Sequence, residues 1–323
     1  MENTTVQIKR NRPPIEWACL LYFLAAALPQ PLAHVTVWVF KLFNAQADPG
    51  VISMTATAVY QLLILGLPGI LYMLRHRESA PSMRLKAPRV GLIFGAAALA
   101  IAGTLLANNV GIWWMLLIDA LGGKLQPSAI EIPTTARTLM QSFLLVGIMP
   151  GVCEELFFRG MMFGSWEQKS QKAAWIVSSV LFGVLHGNLQ GLPVHLFMGF
   201  VLGYLLLRSG SLYVSMTFHA VYNSFTLLLA YFSQQTGGAD PAVIENLSGY
   251  IEQSVGYFAL LQSTISSVAM FMGIMMLQHI KFGRVHLKAP AEKCRLNRQA
   301  WVLLAGVLIF IGLLWFNEIT QIW

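Results

Sequence analysis

Long runs without a single charged side chain dominate this chain and limit what it is able to fold into. Residues 17–40, 49–74, 90–118, 253–280 and 299–317 contain no Asp, Glu, Lys or Arg. A helix needs roughly 20 apolar residues to cross the ~30 Å hydrocarbon layer of a membrane, and every one of these runs is long enough. Each reads as one helix. The uncharged stretch 173–207 would be ~52 Å long as a single helix, too long for one crossing. Gly187, Asn188, Gly191 and Pro193 break it into two short spans near 173–187 and 192–207. A further span runs over 212–232, and another over 137–163, which is apolar until it meets Glu154, Glu155 and Arg159. The expected fold is therefore all-α: a polytopic transmembrane helical bundle of about nine spans, forming one membrane domain over 1–323. Composition agrees, since 56% of residues are hydrophobic and only 11% charged, whereas soluble proteins carry about a quarter of their residues as charges.

The basic residues give an orientation. With the N-terminus in the cytoplasm, all of the 21 lysines and arginines except Lys41, Lys124 and Arg137 fall on cytoplasmic segments, as the positive-inside rule demands. The predicted external loop after Phe232 carries Asp240, Glu245 and Glu252 and no base. The net charge of +7 thus reflects loops facing an anionic leaflet, and no nucleic-acid partner is needed to explain it. The first apolar segment is expected to remain as a helix rather than to be cleaved as a signal peptide. Cys19, Cys153 and Cys294 read as small apolar fillers, not as a disulfide framework. No inverted pair of interrupted helices of the transporter kind is visible.

An ionisable group inside a transmembrane helix costs a few kcal/mol or more, so its presence points to function. Glu154 and Glu155 are the acids, among 14, placed deep in a span; His186, His219 and Asn223 are the other polar intruders. Glu155 and Arg159 are four residues apart, in the better order for a helical ion pair. Glu154 lies ~100° around the helix and is left to point elsewhere. His219 and Asn223, and Phe182 and His186, repeat the four-residue spacing. Counted at 1.5 Å per residue from the cytoplasmic ends, Glu154, His186, His219 and Asn223 lie at overlapping depths of ~12–20 Å. Pro150 is expected to kink or loosen the helix ahead of Glu154, and glycine pairs such as Gly147 and Gly151 or Gly199 and Gly203 allow close helix approach. A carboxylate in such a site acts as general base on a water, a histidine shares the proton transfer, and a second histidine and an amide donate to an oxyanion. That inventory describes a peptide hydrolase without a covalent nucleophile.

These residues resemble the motifs of the CAAX-processing and bacteriocin-processing intramembrane proteases (CPBP), which include the type II CAAX prenyl endopeptidases. Glu154, Glu155 and Arg159 match Glu-Glu-x-x-x-Arg; Phe182 and His186 match Phe-x-x-x-His; His219 and Asn223 match His-x-x-x-Asn. The resemblance covers a core of about 137–232, with variable flanking helices at 17–118 and 253–318. It implies a glutamic endopeptidase of a bacterial cytoplasmic membrane that acts on membrane-associated peptides or proteins. Glu154 and His186 would activate water, His219 and Asn223 would form the oxyanion hole, and Glu155, Arg159 and Phe182 would support them. No cofactor is expected; a Glu/His/His set permits zinc, but no HExxH helix is present and Asn is a poor zinc ligand.

Plainer readings exist for each feature. A structural ion pair accounts for Glu155 with Arg159 but leaves Glu154 without a partner. His186 and His219 could be interhelical hydrogen-bonding residues. His34 and His195 match no motif and read as near-interface or packing residues, and nothing but its position recommends Cys153 as a nucleophile. At the level of function the alternatives are a catalytically silent immunity or binding protein for a peptide toxin, and a transporter with a Glu/His proton path.

Overall fold

The computed structural model describes residues 13–43, 49–75, 83–126, 132–236, 247–282 and 298–323, and the regular elements among them are all helical. Lys9, Arg10, Arg12, Arg77, Arg284, Lys288, Lys293 and Arg295, with Asp240, Glu245 and Cys294, lie outside the described residues. In chain order the helices are α1 (Ile15–Ala27) and α2 (Pro29–Phe43); α3, which continues from Pro49–Tyr60 through a wider π turn at Gln61–Gly66 into Leu67–Arg75; and α4 (Val90–Ala120). They are followed by α5 (Ala136–Trp166), α6 (Gln171–Leu185), α7 (Leu192–Ser209), α8 (Leu212–Gln235), the short α9 (Leu247–Ser254), α10 (Tyr257–Phe282) and α11 (Arg298–Ile322).

The molecule is an all-α, polytopic integral membrane protein. Among the described residues six helices are long and apolar enough to cross a bilayer, namely α3, α4, α5, α7, α10 and α11, and the α1–α2 pair makes a seventh if counted as one span. Sequence reasoning expects about nine spans, and the other two of its regions do hold helices. α6 is only 15 residues long, and α8, at 24 residues, has its apolar character diluted by Ser215, Thr217, His219, Asn223, Ser224 and Thr226. The two helices that fall short are thus the one that ends just before His186 and the one carrying His219 and Asn223. α8 accommodates its polar residues by packing inside the bundle, against α4, α5 and α7.

One expectation needs correction. Residues 17–40 do not form one helix: the chain bends by 50° between α1 and α2, because Pro29 has no N–H to donate to Ala25 and its ring crowds the preceding turn. The carbonyl so released is taken by a neighbour, Tyr60 Oη donating to Ala25 O at 2.9 Å. The same device recurs once: Pro150 leaves the Val146 carbonyl open, and Asn223 Nδ2 donates to it at 3.2 Å. In lipid no water replaces a lost helical bond, so a side chain from another helix must.

The helices run between two ends. At one, Arg84 pairs with Glu167 at 2.7 Å, Ser211 Oγ donates to Lys86 O at 2.6 Å, and Gln168 Nε2 donates to Pro13 O at 2.9 Å. At the other, Leu189 N donates to Glu318 Oε1 at 3.1 Å, Lys124 N to Ile322 O at 2.7 Å, and Ser248 Oγ to Asp119 Oδ2 at 3.2 Å. Short as it is, α6 carries the chain from the first end to the second. Backbones approach closely where the sequence has glycine: a Cβ on Gly151 would lie 2.8 Å from Ala220 N, and one on Gly199 would lie 2.5 Å from Ser179 O. These contacts bring α5 against α8 and α6 against α7 around the acidic pair.

Candidate active site

Glu154 and Glu155 end a short α-helical turn, Met149–Glu155, held between two π turns of α5, Phe143–Ile148 and Leu156–Met162. Pro150 explains the first of these, since a helix missing a donor relaxes most readily at that point. Being consecutive, the two glutamates diverge, and they take different partners. Glu155 and Arg159 both have fully buried side chains and meet through Oε1 and Nη1 at 3.0 Å. The guanidinium also donates from Nη2 to Gly199 O at 2.9 Å and lies 4.5 Å from the centroid of the Phe182 ring. Ser179 Oγ donates to the same Gly199 carbonyl at 2.8 Å, so α5, α6 and α7 are tied at one point.

His219 bridges the two acids. Its Nδ1 is 3.1 Å from Glu155 Oε1, and a carboxylate facing an arginine only accepts, which assigns the ring proton to Nδ1 and leaves the Nε2 lone pair open. Nε2 lies 3.9 Å from Glu154 Oε2, too far for a hydrogen bond but close enough for mutual electrostatic influence. The other oxygen of Glu154, Oε1, accepts from Gln61 Nε2 of α3 at 2.7 Å. Glu154 Oε2 is buried and has no hydrogen-bond partner in the protein. A buried acceptor without a partner requires an explanation, and a place for a reacting water or substrate group is one.

His186 follows the last residue of α6. Its Nδ1 is 2.9 Å from Phe182 O, which again puts the proton on Nδ1 and presents Nε2 as an acceptor. The ring stacks on His195 of α7, with centroids 3.9 Å apart and planes inclined by 16°. Phe182 is the wall common to both histidines, 4.9 Å from His186 and 5.7 Å from His219. Asn223 stands one turn beyond His219 on α8 and spends one amide hydrogen on Val146 O. The structure therefore joins Glu154, Glu155, Arg159 and His219 in one network, with Phe182 against it; His186 lies across the Phe182 ring, and neither His186 nor Asn223 bonds to Glu154 directly.

Residues 136–225 match the family described as type II CAAX prenyl endopeptidase Rce1-like, a stretch that begins with α5 and ends just past Asn223. The chain is also 26% identical, over 192 residues, to a putative membrane peptidase, YdiL, of Bacillus subtilis (strain 168), covering 58% of this chain and 74% of that protein. Over this segment the chain is thus similar to the Rce1-like CAAX-protease superfamily. No solved structure matches it.

The residues of all three motifs read from the sequence lie inside the matched segment, but the site does not end there. Gln61, 6% exposed, comes from a helix outside that segment and was missed by sequence reasoning. It was legible only as a lone amide in an otherwise apolar run, a weak signal. His195 was expected to pack, and it does, against a motif histidine; His34, by contrast, is exposed on α2 and bonds to its own helix at Gln30 O. Cys153, next to Glu154, is buried and unpaired with other cysteines. Among the described residues no three His, Cys, Asp or Glu side chains gather closely enough to hold a metal ion.

Proposed function

We propose that this protein is an intramembrane endopeptidase that hydrolyses peptide bonds of membrane-associated peptides or proteins without a covalent intermediate. The observation that carries the reading is Glu154: a buried carboxylate with one oxygen held by Gln61 and the other unpartnered, 3.9 Å from an imidazole nitrogen. Glu154 accepts a proton from water, the hydroxide adds to the scissile carbonyl, and the proton passes to the departing amine as the tetrahedral intermediate collapses. His186, with Nε2 as an acceptor, assists in holding that water. Asn223 faces the oxyanion through the amide hydrogen not used by Val146, and His219 joins it through Nε2 when the water proton taken up by Glu154 is passed to that nitrogen, 3.9 Å away, on its way to the amine. Glu155 orients the His219 ring through Nδ1, and Arg159 holds Glu155 in place.

The comparisons support this substrate class: the matching family is described as type II CAAX prenyl endopeptidase Rce1-like, and the Bacillus subtilis relative as a putative membrane peptidase. The purified protein in detergent is expected to cleave an internally quenched peptide, offered in parallel as farnesylated and unmodified versions of one CAAX sequence. Glu154→Ala and His186→Ala should each abolish cleavage while the unfolding midpoint is retained. Full activity in Glu154→Ala would sink the mechanism, and inactivity of the wild type on both peptides and on total membrane proteins would favour a silent immunity or binding protein. Chelators should have little effect; inhibition reversed specifically by zinc would point to metal chemistry instead.

A further inference from the structure

We propose that Gln61 is a positioning residue for Glu154, a role that rests on the proteolytic reading of the site. Gln61 opens the π turn of α3, and this helix meets α5 at small residues: a Cβ on Gly66 would lie 3.0 Å from Cys153 Sγ, and one on Gly69 would lie 3.3 Å from Leu156 Cβ. The close approach puts the Gln61 amide level with Glu154, where Nε2 donates to Oε1 at 2.7 Å. A carboxylate accepts only, so the amide must present its nitrogen. Such a charge-assisted bond is stronger than a neutral one.

The terminal torsion of a glutamate is otherwise broad and nearly two-fold, so its two oxygens exchange freely. The Gln61 bond removes that freedom. It commits Oε1 to α3 and leaves Oε2 as the reacting oxygen, on the side of His219. Packing alone does not require this arrangement. Gln61 Oε1 is itself buried without a partner, so an apolar residue of similar volume would satisfy the helix interface at less cost, and the amide is explained by what it does to Glu154. The motif residues carried by or next to α5, α6 and α8 all lie within residues 136–225; α3 contributes from outside that segment.

The test uses the full-length protein in detergent, the internally quenched peptide that the wild type cleaves, and Gln61→Met, which keeps volume and removes the donor. Gln61 touches the base and not the substrate, so kcat should fall about 10- to 100-fold while KM stays within about twofold. Gln61→Asn, one methylene too short to keep the bond, should behave alike. A readout independent of turnover is the infrared carboxylate stretch assigned by its absence in Glu154→Gln; it should shift in both Gln61 variants. An unchanged kcat in Gln61→Met, a loss confined to KM, or an unmoved carboxylate band overturns the proposal. Should Gln61→Met fail to fold, Gln61→Asn and its infrared band decide. Glu154→Gln is assayed alongside: if it is inactive while Gln61→Met is fully active, only the role of Gln61 falls, whereas an active Glu154→Gln removes the proteolytic reading itself.

Discussion

Replacing Arg159 by methionine isolates the most deeply buried charge pair among the described residues. Both side chains are 0% exposed and meet at 3.0 Å, so the substitution leaves Glu155 buried without its cation. It also strips Gly199 O of the donor on Nη2 and removes the guanidinium from the Phe182 face. Breaking one side of a buried pair costs about 3–5 kcal/mol, mostly from the charge left behind. His219, 3.1 Å from the same Glu155 oxygen, remains as a partial partner, and Ser179 still donates to Gly199 O. The lower end, ~3 kcal/mol, is therefore the expected loss, a shift of about a hundredfold in the unfolding equilibrium. The assay is reversible unfolding in mixed detergent for the wild type, Arg159→Met, Glu155→Gln and the double variant. Because one substitution already destroys the pair, the double variant should recover part of the loss, with a coupling energy of at least ~1.5 kcal/mol. Additive single effects, with coupling below ~0.5 kcal/mol, would refute the claim that Glu155 depends on Arg159 for its charge.

Four further outcomes follow from the same contacts. Glu154→Gln should keep or raise the unfolding free energy, since it removes a buried charge with an unpartnered oxygen, and a clear loss of stability would show that Glu154 is structural. Pro150→Ala restores an N–H able to bond Val146 O and so competes with Asn223; stability should change by less than ~1 kcal/mol while kcat falls, and unchanged kcat would argue against orientation of Asn223 by this carbonyl. Gly151→Val forces a branched side chain onto the Ala220 backbone, 2.8 Å from the Cβ position, and should cost at least ~1–3 kcal/mol by unfolding titration. Cys153→Ala should retain full peptide cleavage, with a stability loss of about 1 kcal/mol from the small cavity; loss of activity in this variant would revive a thiol nucleophile.

The helices were legible because lipid allows few solutions. A charge-free run long enough to cross must be helical, and the runs at 49–74, 90–118, 253–280 and 299–317 correspond to α3, α4, α10 and α11. The bend at Pro29 was less legible, because prolines in membrane helices either kink or are rescued by neighbours, and the neighbour, Tyr60, is 35 residues away. Within the candidate site, spacing was sufficient for Glu155 with Arg159, since four residues on a helix put side chains on one face irrespective of tertiary context. It also required Glu154 to look elsewhere, without saying where.

The sequence by itself determined that this chain lives in a membrane as a helical bundle, and that three motif-bearing helices hold acids, imidazoles and an amide that lipid would expel unless they converged. Only the tertiary structure decided the pairing. It gave His219 to Glu155, His195 to His186, the Val146 carbonyl to Asn223, and Gln61 to Glu154. Periodicity along one helix fixes the direction of a side chain about its own axis, but the partner of a buried polar group comes from another helix. Which helices become neighbours depends on close contacts such as Gly151 against Ala220 and Gly66 against Cys153, and those are properties of the packed bundle.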